Sequence, residues 1–83
     1  MTHGAKYRRV KKLVRPVSAR QKFAAGVRSE RRAQGLSQEQ LGERAGMQAA
    51  YIGAVERAEK NVTVDTMERI ATALQVTVAE LLQ

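Results

Sequence analysis

The stretch QEQLGERAGMQAAYIGAVER, from Gln38 to Arg57, constrains the fold more than any other part of the chain. Its inward positions at helical spacing are all apolar: Leu41, Ala45, Met47, Ile52 and Val55. Gly42 interrupts the first helical segment, where glycine costs up to about 1 kcal/mol relative to alanine, so it indicates a close contact between helices. Gly46 supplies the positive φ that a tight turn needs. The pattern predicts two short helices that cross at a steep angle.

Hydroxyl residues at the spacing of helix caps predict where the helices begin. Three of them are followed three residues later by Gln or Glu, which is the capping-box pattern: Ser18/Gln21, Ser37/Gln40 and Thr77/Glu80. Thr63 is a further cap, with Asp65 near the positive end of its helix. We expect helix 1 to run from Ser18 to about Gln34, with Gly35 as its left-handed end. Helix 2 should end at Gly46, and helix 3 should span about Gln48 to Ala58.

The apolar positions of the outer helices predict the rest of the core. Phe23 and Val27 share one face of helix 1, and helix 4 is expected to bury five residues: Val64, Met67, Ile70, Ala71 and Leu74. A short fifth helix ends in Leu81 and Leu82, whose apolar surface we expect to exceed what their own core covers; this favours a homodimer through the C-terminal part of the chain. No strand pattern competes. The fold class predicted is all-α, with five helices.

Positive charge is concentrated at the N-terminus. The chain of 83 residues has a formal net charge of +7, and residues 1–22 contribute eight Lys or Arg and no acid. Residues 23–83 contribute seven Lys or Arg against eight Asp or Glu, so the rest of the chain is almost neutral. A segment of this kind suits a polyanion, either nucleic acid or an anionic membrane surface. We therefore divide the chain into a basic N-terminal arm, residues 1–17, and a helical domain, residues 18–83.

Other function classes find no support in the sequence. The chain has no cysteine, and no apolar run approaches the ~18 residues of a membrane span. Its single histidine, His3, stands without partners for a metal. No nucleophile lies at a recognisable spacing from a base, and there is no glycine-rich phosphate loop. We expect no enzyme activity, metal, cofactor or small-molecule ligand, and a cytoplasmic, nucleoid-associated location of the bacterial or phage type.

The crossed helices and the basic arm together favour a DNA-binding protein over a helical hairpin with no nucleic-acid role, because such a hairpin is indifferent to the charge distribution. From about Phe23 to Leu82 the chain resembles the Cro/C1 (XRE-type) helix-turn-helix family. The matching text is VRSERRAQGLSQEQLGERAGMQAAYIGAVERAEKN and TMERIATALQVTVAELL. The resemblance implies a five-helix, phage-repressor-like domain that binds operator DNA as a two-fold dimer. In size the chain is similar to the restriction–modification controller members of the family.

The resemblance also implies roles for individual residues. Gln38 matches a glutamine that meets the DNA backbone, and Arg31 and Glu56 match an ion pair that ties helix 1 to helix 3. The exposed first turn of the recognition helix is matched by Gln48, Ala49 and Ala50, and a loop near phosphate by Lys60 and Asn61. The chain departs from the family at Ala58, Val62 and Gln75, where Gly, Pro and Gly respectively are common.

The chemistry of these residues suggests how they read DNA. Gln48 can form paired hydrogen bonds with adenine, and alanine methyl groups can pack on the methyl group of thymine. For Tyr51 two interpretations stay open, because its hydroxyl could reach a phosphate or its ring could pack in the core. The full set of expected contacts on the domain is Gln38, Gln48, Ala49, Ala50, Tyr51, Gly53, Ala54, Arg57, Lys60 and Asn61.

The arm is expected to supply the electrostatic affinity for DNA that a recognition helix with mostly small, uncharged side chains lacks. Its cations could follow the backbone, or Arg8 and Arg9 could enter a narrow minor groove. The expected contacts are Lys6, Arg8, Arg9, Lys11, Lys12 and Arg15. Without DNA we favour a disordered arm over a basic amphipathic helix, because Pro16 and the like charges oppose a helix. Two rival functions stay open: a protein-interaction (antitoxin-like) module, and a membrane-surface binder that uses Tyr7, Val10, Leu13 and Val14.

Overall fold

A computed structural model describes residues 18–83, which form five helices. The helices are α1 (Ala19–Ala33), α2 (Gln38–Ala45), α3 (Ala49–Glu56), α4 (Val64–Ala73) and α5 (Val78–Leu81). No strand occurs within these residues, so the prediction of an all-α, five-helix fold is confirmed. The predicted contacts of the arm lie outside the described residues.

Four helices are capped as the sequence predicts. At α1, α2 and α5 the hydroxyl of Ser18, Ser37 or Thr77 accepts a hydrogen bond from the backbone N–H three residues later, and the Gln or Glu at that position bonds back to the cap residue. At α4 the Thr63 hydroxyl accepts a hydrogen bond from the Thr66 N–H at 3.1 Å. Each cap stabilises its helix by about 1 kcal/mol. Such a contribution matters most for α5, which has only four residues.

The core lies where the five helices meet. Its largest fully buried side chains come from α1 to α4 and from the C-cap residue of α4: Phe23, Val27, Leu41, Ile52, Ile70 and Leu74. Leu81 of α5 completes this cluster. Burial of each side chain of this kind contributes about 1.5–3 kcal/mol. The cluster therefore joins both helices of the Gln38–Arg57 stretch to the three helices around them.

Two predictions about apolar side chains are wrong. The sequence predicts a buried Val64, but 62% of this residue is exposed, because it is the first residue of α4 and precedes the turn that packs on the core. The sequence also predicts leucines at the C-terminus with excess apolar surface. Instead Leu81 is only 3% exposed, and its carbonyl oxygen lies so close to Gly26 of α1 that a Cβ there would overlap it. Leu82 is half-buried.

Four helices end at a residue with positive φ: Gly35, Gly46, Ala58 and Gln75. The residue that follows each of them donates its N–H to the carbonyl five residues earlier, as from Glu59 to Ala54 at 3.0 Å. Glycine adopts this left-handed conformation without strain, whereas a residue with a Cβ does so at a cost of about 1–2 kcal/mol. Because this turn begins after Glu56, α3 ends two residues before the predicted Ala58.

Glycine should therefore stabilise the fold at the two strained positions. We expect Ala58→Gly and Gln75→Gly each to raise the free energy of unfolding by about 0.5–1 kcal/mol, because the relief of strain exceeds the entropy that glycine adds to the unfolded chain. Gly35→Ala is the reverse control and should lower the free energy of unfolding. Nothing lies within 4 Å of the Cβ position of Gly35, so this substitution adds backbone strain without a clash. Urea unfolding measures all three, and a lower midpoint for Ala58→Gly than for wild type would contradict the expectation.

Candidate nucleic-acid interface

Helices α2 and α3 are joined by a connection of three residues, 46–48. Gly46 has φ 72° and ψ 36°, the left-handed conformation that the tight turn requires. A Cβ at Gly42 would overlap the carbonyl oxygen of Met47, so the connection can pack on α2 only because Gly42 lacks a side chain. The predicted roles of both glycines are confirmed. Together they fix where α3 begins relative to α2.

The side chain of Arg69 on α4 holds the connection between α2 and α3 in place. Arg69 Nη2 donates to the carbonyl oxygens of Ala45 and Gly46, at 2.8 and 3.2 Å, and so satisfies acceptors that the end of α2 leaves open. Sequence reasoning missed this role of Arg69. A single arginine on a helix has the pattern of a surface charge, and its partners lie too far away along the chain to give a local signal.

Arg31 and Glu56, the ion pair implied by the resemblance, join α1 to the end of α3. Arg31 Nε donates to Glu56 Oε2 at 2.6 Å, and Nη2 donates to Oε1 at 3.1 Å, with side chains that are 11% and 3% exposed. Arg31 Nη1 also donates to the Leu36 carbonyl oxygen at 2.7 Å. The hydrogen bonds to Glu56 raise the pKa of Arg31 above its ordinary value and so favour the charged form of this buried arginine.

Gln38 connects this buried pair to the surface at the start of α2. Its Nε2 donates to Glu56 Oε1 at 3.1 Å, and its half-buried side chain lies over Gly53. An amide nitrogen carries two hydrogens, so a second one can be donated to a phosphate oxygen. The Arg31–Glu56 pair therefore orients the side chain for which the family resemblance implies a contact with the DNA backbone.

The first turn of α3 faces solvent in part. Gln48 and Ala50 are exposed and Ala49 is half-buried. Gln48 is the N-cap residue of α3, yet its side chain forms no capping hydrogen bond, unlike those of the other four helices. Its amide group is therefore not used in holding the helix. Tyr51 is half-buried, and its ring packs against the core cluster, as one of the two interpretations of this residue expects.

Two residues of the expected DNA-contact set do not reach the surface. Gly53 and Ala54 are both buried, and Ala54 is only 7% exposed. The side chains of Gln38 and Arg57 cover Gly53, and α3 turns Ala54 toward the rest of the bundle. The prediction that these two residues touch base edges needs correction, because they present almost no surface to a base. The exposed surface of α3 is thereby limited to its first turn.

The loop between α3 and α4 forms the other edge of the candidate interface. Arg57, Lys60 and Asn61 are all exposed there. Arg20, near the start of α1, donates from Nη1 to Asn61 Oδ1 at 2.7 Å. This bond uses the oxygen of the Asn61 amide and leaves its nitrogen as the donor for other groups. Arg20 therefore belongs to the structure of this edge, although its only signal in the sequence is its charge.

These features define the class of protein: a small all-helical domain built around a helix-turn-helix, with an exposed first turn on its second helix. Residues 27–81 match the helix-turn-helix family HTH_3, and the chain belongs to this family. It is accordingly a DNA-binding transcriptional regulator of the Cro/C1 type and not an enzyme, as the sequence predicts.

Proteins that are similar to this chain include controller proteins. The chain is 50% identical over 60 residues to control protein C.SmaI of Serratia marcescens, a match that covers 72% of this chain and 71% of that protein. The restriction-modification controller protein C.AhdI from Aeromonas hydrophila is similar in structure, with a TM-score of 0.71, 40% identity, and coverage of 75% of this chain and 94% of that one. The clp gene regulator ClgR from C. glutamicum is also similar in structure, with a TM-score of 0.75, 28% identity, and coverage of 82% of this chain and 87% of that one.

Among residues 18–83 none of the five helices has the length and apolar character to cross a bilayer.

Proposed function

We propose that this protein binds a specific double-stranded DNA operator as a homodimer, with α3 in the major groove, and regulates transcription from that site. The observation that supports this most is the exposed first turn of α3, whose position is fixed by Gly42, Gly46 and the Arg31–Glu56 ion pair. An α-helix fits the major groove, and helix-turn-helix proteins place base-reading residues at the N-terminal end of their second helix.

Direct readout is expected to rest on few side chains. Gln48 can form two hydrogen bonds with one adenine, and the methyl groups of Ala49 and Ala50 can pack on thymine. Because Gly53 and Ala54 are buried, no further residue of the next turn adds a base contact of comparable reach. The small side chains allow α3 to approach the groove floor closely, so the identity of one base pair should depend strongly on Gln48.

Phosphate contacts are expected on both sides of α3. Gln38 stands at the start of α2, and Arg57, Lys60 and Asn61 stand at the other end of α3. The bond between Arg20 and Asn61 supports a role for the arm on the same DNA, because it holds the first turn of α1 beside this loop. Residue 18, where the arm joins the domain, precedes that turn directly. The point where the arm joins the domain would then lie at the edge of the interface.

A homodimer would place two copies of α3 on an inverted repeat, about 34 Å or one DNA turn apart. One first turn with a single amide reads too little sequence to select a site alone, which is why two copies are expected. With Leu81 buried, the apolar surface for such a dimer in the C-terminal part comes from the exposed Ala79 and from three half-buried residues: Val76, Val78 and Leu82. Sedimentation equilibrium at high micromolar concentration tests the dimer, and a strict monomer would exclude it.

Gln48→Ala should relax sequence preference more than it weakens total binding. Loss of a paired contact with adenine costs about 1–3 kcal/mol at one base pair, about 5- to 150-fold in preference. Ser29→Ala, on the exposed side of α1, is a control that leaves the interface intact. Fluorescence anisotropy on the selected operator, on its single-base variants and on random duplex measures the effect. Equal weakening on every duplex would mean that Gln48 contacts phosphate and not a base.

We also propose that the operators belong to a restriction–modification system, because C.SmaI is named a control protein and C.AhdI a restriction-modification controller protein. Selection of bound fragments from the genome of the source organism tests this. Enrichment of fragments beside genes for a DNA methyltransferase and an endonuclease would support it. Enrichment only at unrelated promoters would assign the chain to a different regulatory circuit.

A further inference from the structure

Arg57 is paired with an acidic side chain at the edge of the candidate interface. Its Nε donates to Glu59 Oε2 at 3.0 Å, and its Nη2 donates to Glu59 Oε1 at 3.2 Å. Both side chains are more than half exposed, at 59% and 56%. The hydrogen bonds between them raise the pKa of Arg57 and lower the pKa of Glu59, and both groups are charged at neutral pH even at their ordinary pKa values. The pair as a whole has no net charge.

The position of the guanidinium makes this pairing relevant to DNA. Arg57 is the C-cap residue of α3, and its Nη1 lies over Gly53 beside the amide group of Gln38. A Cβ at Gly53 would come within 3.2 Å of Arg57 Nη1 and 3.3 Å of Gln38 Oε1, so both side chains occupy the space that a larger residue would take. The side chains of Arg57 and Gln38 thus converge from the end of α3 and the start of α2 on one point over Gly53.

Resting on the function proposed above, we propose that Glu59 competes with DNA phosphate for the Arg57 guanidinium and thereby limits the affinity of the protein for DNA. Carboxylate and phosphate bind the same paired N–H groups of arginine, and Glu59 engages the pair formed by Nε and Nη2. While the pair is intact, the charge of Arg57 neutralises Glu59 and not a phosphate, so each subunit binds DNA with one effective cation fewer.

This competition has a defined effect on recognition. Phosphate contacts contain no sequence information, so the competition by Glu59 weakens binding to the operator and to random duplex by the same factor. It also removes one cation from the number that neutralise phosphates in each subunit. Glu59 should therefore reduce both the affinity and its dependence on salt, while the preference for one sequence over another stays the same.

The experiment compares Glu59→Gln with Glu68→Gln in the full chain. Both remove one negative charge, but Glu68 is exposed on α4 and takes part in no ion pair within residues 18–83. Relative to Glu68→Gln, we expect Glu59→Gln to bind duplex DNA about two- to fivefold more tightly, the range that an exposed ion pair allows. The slope of log affinity against log salt should steepen by ~0.9 per subunit, because one more phosphate is neutralised.

A double-mutant cycle assigns the effect to Arg57. In an Arg57→Gln background, adding Glu59→Gln should change affinity by no more than Glu68→Gln does, because the competed group is absent. Two results would overturn the inference while wild type still binds DNA: equal affinities of Glu59→Gln and Glu68→Gln, or weaker binding by Glu59→Gln, which would make Glu59 a residue that orients Arg57. Absence of any salt-sensitive binding by wild type would instead refute the proposed function itself.

Discussion

Glu56→Ala should destabilise the fold by about 3–5 kcal/mol, the cost of leaving one partner of a buried ion pair alone. The guanidinium of Arg31, only 11% exposed, would lose both of its bonds to Glu56 and keep only the Leu36 carbonyl. Gln38 would lose the acceptor of its Nε2 as well. Small domains have about 5–15 kcal/mol of stability in total. Thermal and urea unfolding followed by circular dichroism should therefore show a variant close to its midpoint near physiological temperature.

The matched control for this prediction replaces both partners. Arg31→Met combined with Glu56→Met removes the buried charge instead of stranding it, and apolar replacement of a whole buried pair is often neutral or stabilising. We expect the double variant to be more stable than Glu56→Ala by at least ~1 kcal/mol. The double variant should still be less stable than wild type, because the Leu36 carbonyl oxygen loses the hydrogen bond that Arg31 donates. A loss below ~1 kcal/mol for Glu56→Ala would mean that water or a neighbouring group replaces the carboxylate.

Local chemistry explains which parts of the fold the sequence could predict. Capping depends on a hydroxyl and on a residue three positions later, so both partners of the Ser18, Ser37 and Thr77 caps stand within one turn. The positive φ of Gly46 and the close contact at Gly42 depend on the absence of a side chain, which is visible in the residue itself. Predictions of this kind needed no knowledge of how the helices pack.

Packing between distant segments was the part that sequence could not supply. Helical spacing places Val64, Gly53 and Ala54 on helices but does not determine how exposed each residue is. The sequence predicts a buried Val64 and an exposed Gly53 and Ala54, and the structure has the reverse for all three. Leu81 has the same pattern as a dimer contact, and only the approach of Gly26 shows that its own chain buries it.

Polar contacts over long separations cannot be predicted from the sequence for the same reason. Arg20 bonds to Asn61, and Arg69 bonds to the end of α2, but each arginine alone has the pattern of a solvated charge. Arg31 and Glu56 would have been interpreted in the same way without the resemblance to a known family. Glu59 has no signal in the sequence at all, since its meaning depends on the position of Arg57 over Gly53.

Deletion of residues 1–16 should leave the helical fold intact and sharply reduce affinity for DNA. The fold should persist because the core and all four caps described above lie between Ser18 and Leu81. The deletion takes the formal net charge from +7 to +1 by removing six cations: Lys6, Arg8, Arg9, Lys11, Lys12 and Arg15. Circular dichroism of the truncated chain should match that of the full chain in thermal midpoint, which separates loss of binding from loss of structure.

The size of this decrease in affinity follows from counterion release. Removing one cation from a phosphate lowers the slope of log affinity against log salt by ~0.9 on duplex DNA. If half of the six cations touch phosphate, the slope should fall by roughly 3 per subunit, which corresponds to a decrease in affinity of about 500-fold per subunit at 0.1 M salt relative to 1 M. A full-length variant with these six residues changed to Gln separates charge from length, and it should bind as weakly as the truncated chain. If instead slope and affinity both stay unchanged on one operator, the arm does not act on DNA. Binding of the arm to anionic vesicles or to a protein partner would then become its leading interpretation.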